Sequence, residues 1–281
     1  MTRRLRTLLL AALLAAITTP AWAAGLNDVI EALEAPFRGA AAEGIRIRDY
    51  TADFFQESRI ASLDRMQRAR GEVKVLFDRQ ERDNRVPVVM FHWQYEEPTR
   101  QELVSDGRTM WVYLPENNQV IQSDIGLVSQ ARESNPMTFL TGLGQLSRDF
   151  QISFASPNRD VDGNYILELR PRRTTSLFNR MLIVVNRNAV DQAVPEEKKS
   201  EIQKEWEKYA PPKPKPGEFS FKRESNDFPM LSTTVYDPNG NSTLIEFSNV
   251  RTNVGLSAGT FRFMLPAGVE VVRPTGKEMG F

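Results

Sequence analysis

From about Ile45 onward the bulky apolar residues of this chain recur at every second position, and that period of two commits most of its length to β-strands. Tyr50, Ala52, Phe54 and Gln56 fall on one face of an extended run, and Val73, Val75 and Phe77 on one face of the next. Val89, Phe91, Trp93 and Tyr95 alternate with Val88, Met90, His92 and Gln94, so one side of that strand is strongly apolar. The same spacing predicts strands over 86–97, 101–105, 109–114, 119–123, 150–155 and 165–169, then 181–186, 230–236, 242–248 and 261–264. Between them stand Asp106-Gly107, Asp162-Gly163-Asn164 and Asp237-Pro238-Asn239-Gly240. Glycine accepts the positive φ that tight turns need, so these mark hairpins and the sheet is expected to be antiparallel.

Three stretches depart from that period. Residues 26–38 place Leu26, Val29, Ile30, Leu33 and Phe37 on one side of a helical wheel, as an amphipathic helix that lies against a sheet would. Residues 136–143 read as a short apolar helix, with Ser134 or Asn135 able to cap it and Pro136 suited to its first turn. Residues 189–217 form an insertion between two strands: a charged helix over 195–209, carrying Ile202, Trp206 and Tyr209 as a stripe, then a stiff proline-rich run.

Residues 1–23 read as a signal peptide. Arg3, Arg4 and Arg6 precede an apolar run over 8–17 that is too short for a stable membrane span, and Ala21-Trp22-Ala23 supplies the small residues that a signal peptidase reads. Cleavage is expected after Ala23, leaving 24–281 as one domain. With the three arginines gone, the balance of 36 basic and 36 acidic groups becomes an acidic excess of three, which gives no footprint for nucleic acid. Ala24 stands where an acyl-anchored lipoprotein would carry cysteine, so the expected product is soluble and without a lipid anchor.

The side chains that most catalytic sites require are scarce. The chain has no cysteine and one histidine, His92, which lies mid-strand between Phe91 and Trp93. A His/Cys metal site and a cysteine nucleophile are therefore excluded, and no Gly-x-Ser-x-Gly elbow supports a serine triad. Gly142-Leu143-Gly144 lacks the lysine of a phosphate loop, and the adjacent pair Glu96-Glu97 points to opposite faces of a strand. The composition reads as a binding protein without cofactor, metal or catalytic residues.

Seven motifs, in order along the chain, carry a resemblance to one family. They are Ala52-Asp-Phe-Phe-Gln56; Phe91-His-Trp93 with Pro98; Leu103-Val-Ser-Asp-Gly-Arg-Thr-Met-Trp-Val-Tyr113; Leu167-Glu-Leu-Arg-Pro171; Asp237-Pro-Asn-Gly-Asn-Ser-Thr243; Ile245-Glu-Phe-Ser-Asn249; and Phe261-Arg-Phe-Met-Leu-Pro-Ala-Gly-Val-Glu-Val271. The chain resembles the outer-membrane lipoprotein carrier family (LolA). That resemblance implies a mainly β fold with helices: a half-open, incomplete antiparallel β-barrel of about eleven strands, closed by a helical lid over an apolar cavity.

On that reading Tyr50, Phe54, Val89, Phe91, Trp93, Tyr95 and Trp111 line the lipid-binding cavity or its rim. Met137, Phe139, Leu140 and Leu143 form the underside of the lid, and Arg85 stands near the place of the arginine that latches it. The implied activity is that of a monomeric periplasmic carrier. It takes acylated lipoproteins from an inner-membrane ABC-type releasing complex and delivers them to an outer-membrane receptor. The alternatives are carriage of another lipid or glycolipid on the same fold, or a periplasmic lipid or stress sensor that binds a membrane regulator.

Overall fold

Three aspartates set the registers of three hairpins. In the turn over 160–164, Oδ1 of Asp160 accepts the backbone N–H groups of Asp162 and Asn164 at 3.0 and 2.8 Å, and the Asn164 amide donates to Oδ2 at 2.9 Å. The turn over 237–241 repeats this arrangement, with Asp237 accepting from Asn239 and Asn241 and the Asn241 amide returning to Oδ2 at 2.7 Å. Asp106 holds Arg108 and Thr109 in the same manner. Gly163, Gly240 and Gly107 supply the positive φ angles of 82, 83 and 86°.

The structure, a computed structural model, describes residues 24–39, 41–78, 88–124, 143–173, 178–193 and 228–273. The strands are β1 (Asp49–Ile60), β2 (Arg65–Asp78), β3 (Val88–Glu97), β4 (Gln101–Ser105), β5 (Thr109–Leu114), β6 (Gln119–Asp124), β7 (Phe150–Arg159), β8 (Tyr165–Pro171), β9 (Arg180–Val185), β10 (Met230–Tyr236), β11 (Ser242–Thr252) and β12 (Glu270–Val272), and the three hairpins join β4 to β5, β7 to β8 and β10 to β11. All twelve form one sheet in the order β12-β6-β5-β4-β3-β2-β1-β11-β10-β9-β8-β7. Each neighbouring pair is antiparallel except β12 with β6. The two ends, β7 and β12, do not pair with each other, so the barrel is open as expected.

The N-terminal helix is shorter than its apolar stripe. Helix α1 (Leu26–Glu34) gives way to a 3-10 turn at Ala35–Phe37, because Pro36 has no N–H to continue the ladder and its ring crowds the preceding turn. Val29, Ala32, Leu33 and Phe37 are buried on one face of the sheet, here called the inner face, against Tyr50, Val75, Phe77 and Phe228. Rings meet there edge to face or tilted: Phe37 with Phe77 at 5.3 Å, Phe37 with Phe228 at 5.9 Å, and Tyr50 with Phe228 at 4.9 Å.

The C-terminal region corrects one expectation. Residues 261–264 are not a strand: Ala258–Phe261 forms a 3-10 turn, and the strand comes later, at Glu270–Val272. The physical reason lies on the outer face of β3 to β6, which is itself apolar and needs cover. Phe261 is fully buried, and the Phe263 ring stacks on Trp111 at 5.9 Å and meets Tyr113 at 6.0 Å. Only after this crossing does the chain turn onto the edge, where Asn118 donates its side-chain amide to Gly268 O and its own carbonyl accepts Glu270 N–H. The start of the crossing is pinned by the buried Asp49, whose carboxylate accepts Val254 and Gly255 N–H at 2.7 and 3.2 Å.

Two short helices complete the described chain, α2 (Leu146–Asp149) and α3 (Arg187–Ala193). Helix α3 packs beside α1 with Val190 fully buried. The segment expected to be a foreign insertion from 189 therefore begins inside the core; its remainder, 194–217, lies outside the described residues.

Candidate binding wall

Cross-strand partners share a face, so the pairing carries the inner face from strand to strand. Tyr50 pairs with Val75, and Val75 with Phe91; Ala52 pairs with Val73, and Val73 with Trp93. Beyond β3 the row continues through Trp93–Leu103–Val112–Ile121, with Phe91–Ser105–Met110–Ser123 beside it. Sequence alternation located Tyr50, Phe54, Val89, Phe91, Trp93 and Tyr95, and all six lie on this face.

The wall has two regions of different packing. Around β1 to β3 the rings close on each other: Phe54 with Trp93 at 4.7 Å, Phe54 with Tyr95 at 4.9 Å, and Trp93 with Phe247 at 6.2 Å. Tyr50, Phe54, Val89, Trp93 and Tyr95 are buried there, Trp93 to 1% exposure. Across β3 to β6, Met110 and Val112 are buried, while Phe91, Leu103, Leu114 and Ile121 are half-buried around them. Of this second region only Phe91 was expected from the sequence; the register of the Asp106-Gly107 hairpin was the signal that leads to the rest.

Trp111 does not belong with these residues. It pairs with Val104, which pairs with His92, so it faces outward beneath Phe263. Both faces of β5 are apolar, Met110 and Val112 on one and Trp111 and Tyr113 on the other, and alternation alone does not say which is inner. His92 shares the outer face, where its Nε2 lies 3.2 Å from Oε2 of Glu102.

Two polar features interrupt the apolar wall. Tyr95 donates its phenol to Gln56 Oε1 at 2.9 Å, and burial pushes its pKa up to about 12. Tyr50 is also pushed up by burial, and its Oη is enclosed without a hydrogen-bond partner, as is Thr233 Oγ1. Both hydroxyls belong to inner-face residues, since Thr233 pairs with Ile245 and Ile245 with Gln56.

Of the expected lid, Leu143 is described and lies in the core beside Leu146; Met137, Phe139 and Leu140, and Arg85 as latch, lie outside the described residues. Among the described residues an ionic clasp joins α1 to the segment that carries Leu143. Glu34, 1% exposed on α1, accepts Ser147 N–H at 2.6 Å, Ser147 Oγ at 3.2 Å and Arg38 Nη2 at 2.6 Å. Arg38 in turn donates Nε to Gly144 O at 3.4 Å. This ties α1 to the segment 143–149. Nothing in the local sequence separates Glu34 from the solvent-facing Glu31, so the clasp had no signal there.

Among the described residues no group of histidine and carboxylate side chains is placed to hold a metal, and no helix is long and apolar enough to cross a membrane. What the wall presents is apolar surface with a few enclosed hydroxyls.

An outer-membrane lipoprotein carrier protein of Bordetella avium is 27% identical over 183 residues, 65% of this chain and just under two thirds, 66%, of that relative. One from Methylobacillus flagellatus is 24% identical over 245 residues, 87% of this chain and 89% of its own. Solved structures with similar topology include a LolA superfamily protein of Nitrosomonas europaea, with TM-score 0.36, 13% identity and coverage of 86% of this chain and 99% of that one. They also include the Pseudomonas aeruginosa MucA/MucB complex, with TM-score 0.36, 14% identity and coverage of 85% and 59%. The model of the outer membrane lipoprotein carrier protein LolA matches residues 46–222, a span that runs from β1 to β9 and holds both regions of β1 to β6 described above, and the chain therefore belongs to the LolA family.

Proposed function

We propose that this protein is a periplasmic carrier that holds the acyl chains of lipoproteins against the inner face of β3 to β6. It takes them from an inner-membrane ABC-type releasing complex and passes them to an outer-membrane receptor. The observation that carries the reading is the half-buried patch of Phe91, Leu103, Leu114 and Ile121 around Met110 and Val112, on the same face as the close-packed aromatic cluster. Each buried methylene contributes about 0.8 kcal/mol. A triacylated lipid therefore leaves a membrane only for a protein surface of comparable apolar extent. Family membership supports the choice of lipoprotein over other lipids, and the scarcity of catalytic side chains fits a protein that binds without reacting.

The test is binding of a triacylated lipopeptide to the purified protein, followed by native mass spectrometry or by fluorescence of a labelled peptide. Phe91→Glu puts a charge on the half-buried patch, at the point where it borders the packed cluster. Its affinity is expected to fall by about tenfold or more, the cost of desolvating a carboxylate against lipid, with the protein still unfolding cooperatively; Phe91→Leu retains binding. Failure of the unaltered protein to bind the lipopeptide, or equal binding by Phe91→Glu, overturns the assignment. Recovery of a glycolipid in place of acylated peptides from native extract transfers the same wall to a different cargo.

A further inference from the structure

The inner face of β1 changes character along its length: Ala52 and Phe54 are buried and apolar, and the next two positions on that face are the half-buried Gln56 and Ser58. Tyr95 Oη donates to Gln56 Oε1 at 2.9 Å, reaching over the small residues Gly71 and Ala69 of β2. Gln56 Nε2 donates to Ser58 Oγ at 3.2 Å, and Ser58 Oγ lies 3.2 Å from Oγ1 of its cross-strand partner Thr243. A ladder of uncharged polar groups thus runs along one face from β3 to β11. The charged side chains of the same strands, Glu57, Arg68 and Glu246, take the opposite face, where Arg68 Nε donates to Glu57 Oε2 at 2.8 Å.

The direction of these bonds leaves donors uncommitted among the described residues. The phenol fixes Gln56 Oε1 as acceptor, and only one of the two amide protons goes to Ser58. Ser58 then either donates to Thr243 or accepts from it. In the first case the Thr243 proton is left, in the second the Ser58 proton, so one hydroxyl donor remains either way. On the other flank of Gln56, beyond Ile245, the 1% exposed Thr233 encloses a hydroxyl with no partner. We propose that this ladder is the subsite for the linkage between acyl chains and peptide, donating to the ester carbonyls of a diacylglyceryl group while the chains lie on the apolar wall. The inference rests on the reading of β3 to β6 as an acyl wall and names the part of the cargo that the wall itself does not bind. An ester carbonyl taken out of water needs a donor in exchange, and uncharged donors supply it without burying an ion. A phosphate headgroup calls for a cation, and the charged groups here lie on the far side of the sheet. The ladder is also adjacent to the wall, since Tyr95 stands on β3 beside Trp93 and Phe91, where the half-buried patch begins.

The test compares two lipopeptides of identical peptide and chain length, one joined to its glycerol chains through esters and the other through ethers, by calorimetric titration. The unaltered protein should bind the ester form at least about fivefold more tightly, the discrimination that one net hydrogen bond supports. Gln56→Glu still accepts from Tyr95 but now accepts from Ser58 as well, so Thr243 donates to Ser58 and no donor is left; the ester-to-ether ratio should fall to parity. Ser58→Ala combined with Thr243→Val removes both hydroxyls and keeps the Gln56 amide, so the ratio should fall and stay above parity; this pair decides the matter where Gln56→Glu does not fold. Equal binding of ester and ether forms by the unaltered protein, or a ratio that neither substitution moves, overturns the proposal and leaves the acyl wall standing. Failure to bind either form overturns the wall and the ladder together. A diacylglycerol of the same chains that binds more tightly than the lipopeptide overturns the assignment of the ladder to lipoproteins.

Discussion

A β-carbon built on Gly71 would stand 1.9 Å from the carbonyl oxygen of Gln94, because β2 shifts register against β3 between Arg70 and Gly71. The missing side chain leaves room on the inner face for the Phe54 and Tyr95 rings, which meet edge to face above it. Gly71→Ala must push the two strands apart, and a loss of about 3 kcal/mol is expected in urea unfolding, at the upper end of overpacking effects. Tyr95 itself supplies a pH dependence. Its phenol titrates near 10.0 in an unfolded chain and near 12 when buried, so the folded state holds its proton more tightly. Its contribution is complete below pH 10 and is lost as pH rises toward 12, by about 3 kcal/mol. Stability measured across that window should fall more steeply for the unaltered protein than for Tyr95→Phe. The alternation of Tyr50, Phe54 and Trp93 was legible because the opposite face of β1 and β3 is mostly polar there, with Thr51, Asp53, His92 and Gln94 between them. Trp111 was not, because β5 is apolar on both faces and the cover over one of them comes from residues 253–263, far along the chain. The burial of Gly71 follows from a register shift, which leaves no mark on composition.

At the scale of elements, the hairpins were the most legible features, since Asp and Gly at fixed offsets act through bonds within five residues. Contacts between distant elements were not. The clasp of Glu34 with Ser147 and Arg38 joins α1 to α2 across 113 positions, and a glutamate in an amphipathic helix reads as solvent-facing until its partner is known. Gly144 belongs to the same junction: a β-carbon there would lie 2.8 Å from Phe37 O. Glu34→Ala leaves the Ser147 N–H without its acceptor and Arg38 with Glu31 and the Gly144 carbonyl. A destabilisation of about 2–3 kcal/mol is expected, as for a partly buried charged hydrogen bond removed on one side. Hydrogen exchange at Ser147 should quicken more than exchange in β4 or β5, whose residues take no part in the clasp. Equal quickening everywhere would mean that Glu34 supports the whole fold and not this junction.

At the scale of the molecule, the two regions of the inner face differ in the work they can do. The region under α1 is filled by the chain's own rings and holds the sheet together. The region across β3 to β6 is backed on its outer side by Phe261 and Phe263 and keeps Phe91, Leu103, Leu114 and Ile121 half-buried. A strand set with cover on the outer face does not depend on a filled inner face for its order, so apolar ligand can occupy that side without dismantling the sheet. Any ligand that binds the folded state alone raises its stability by RT ln(1 + [L]/Kd), about 2.7 kcal/mol at a free concentration one hundred times Kd. A triacylated lipopeptide should therefore raise the unfolding midpoint of the unaltered protein progressively with concentration, leave that of Phe91→Glu nearly flat, and still raise that of Glu34→Ala, whose lesion lies at the other end of the wall. A midpoint that rises equally in Phe91→Glu would place the ligand away from β3 to β6.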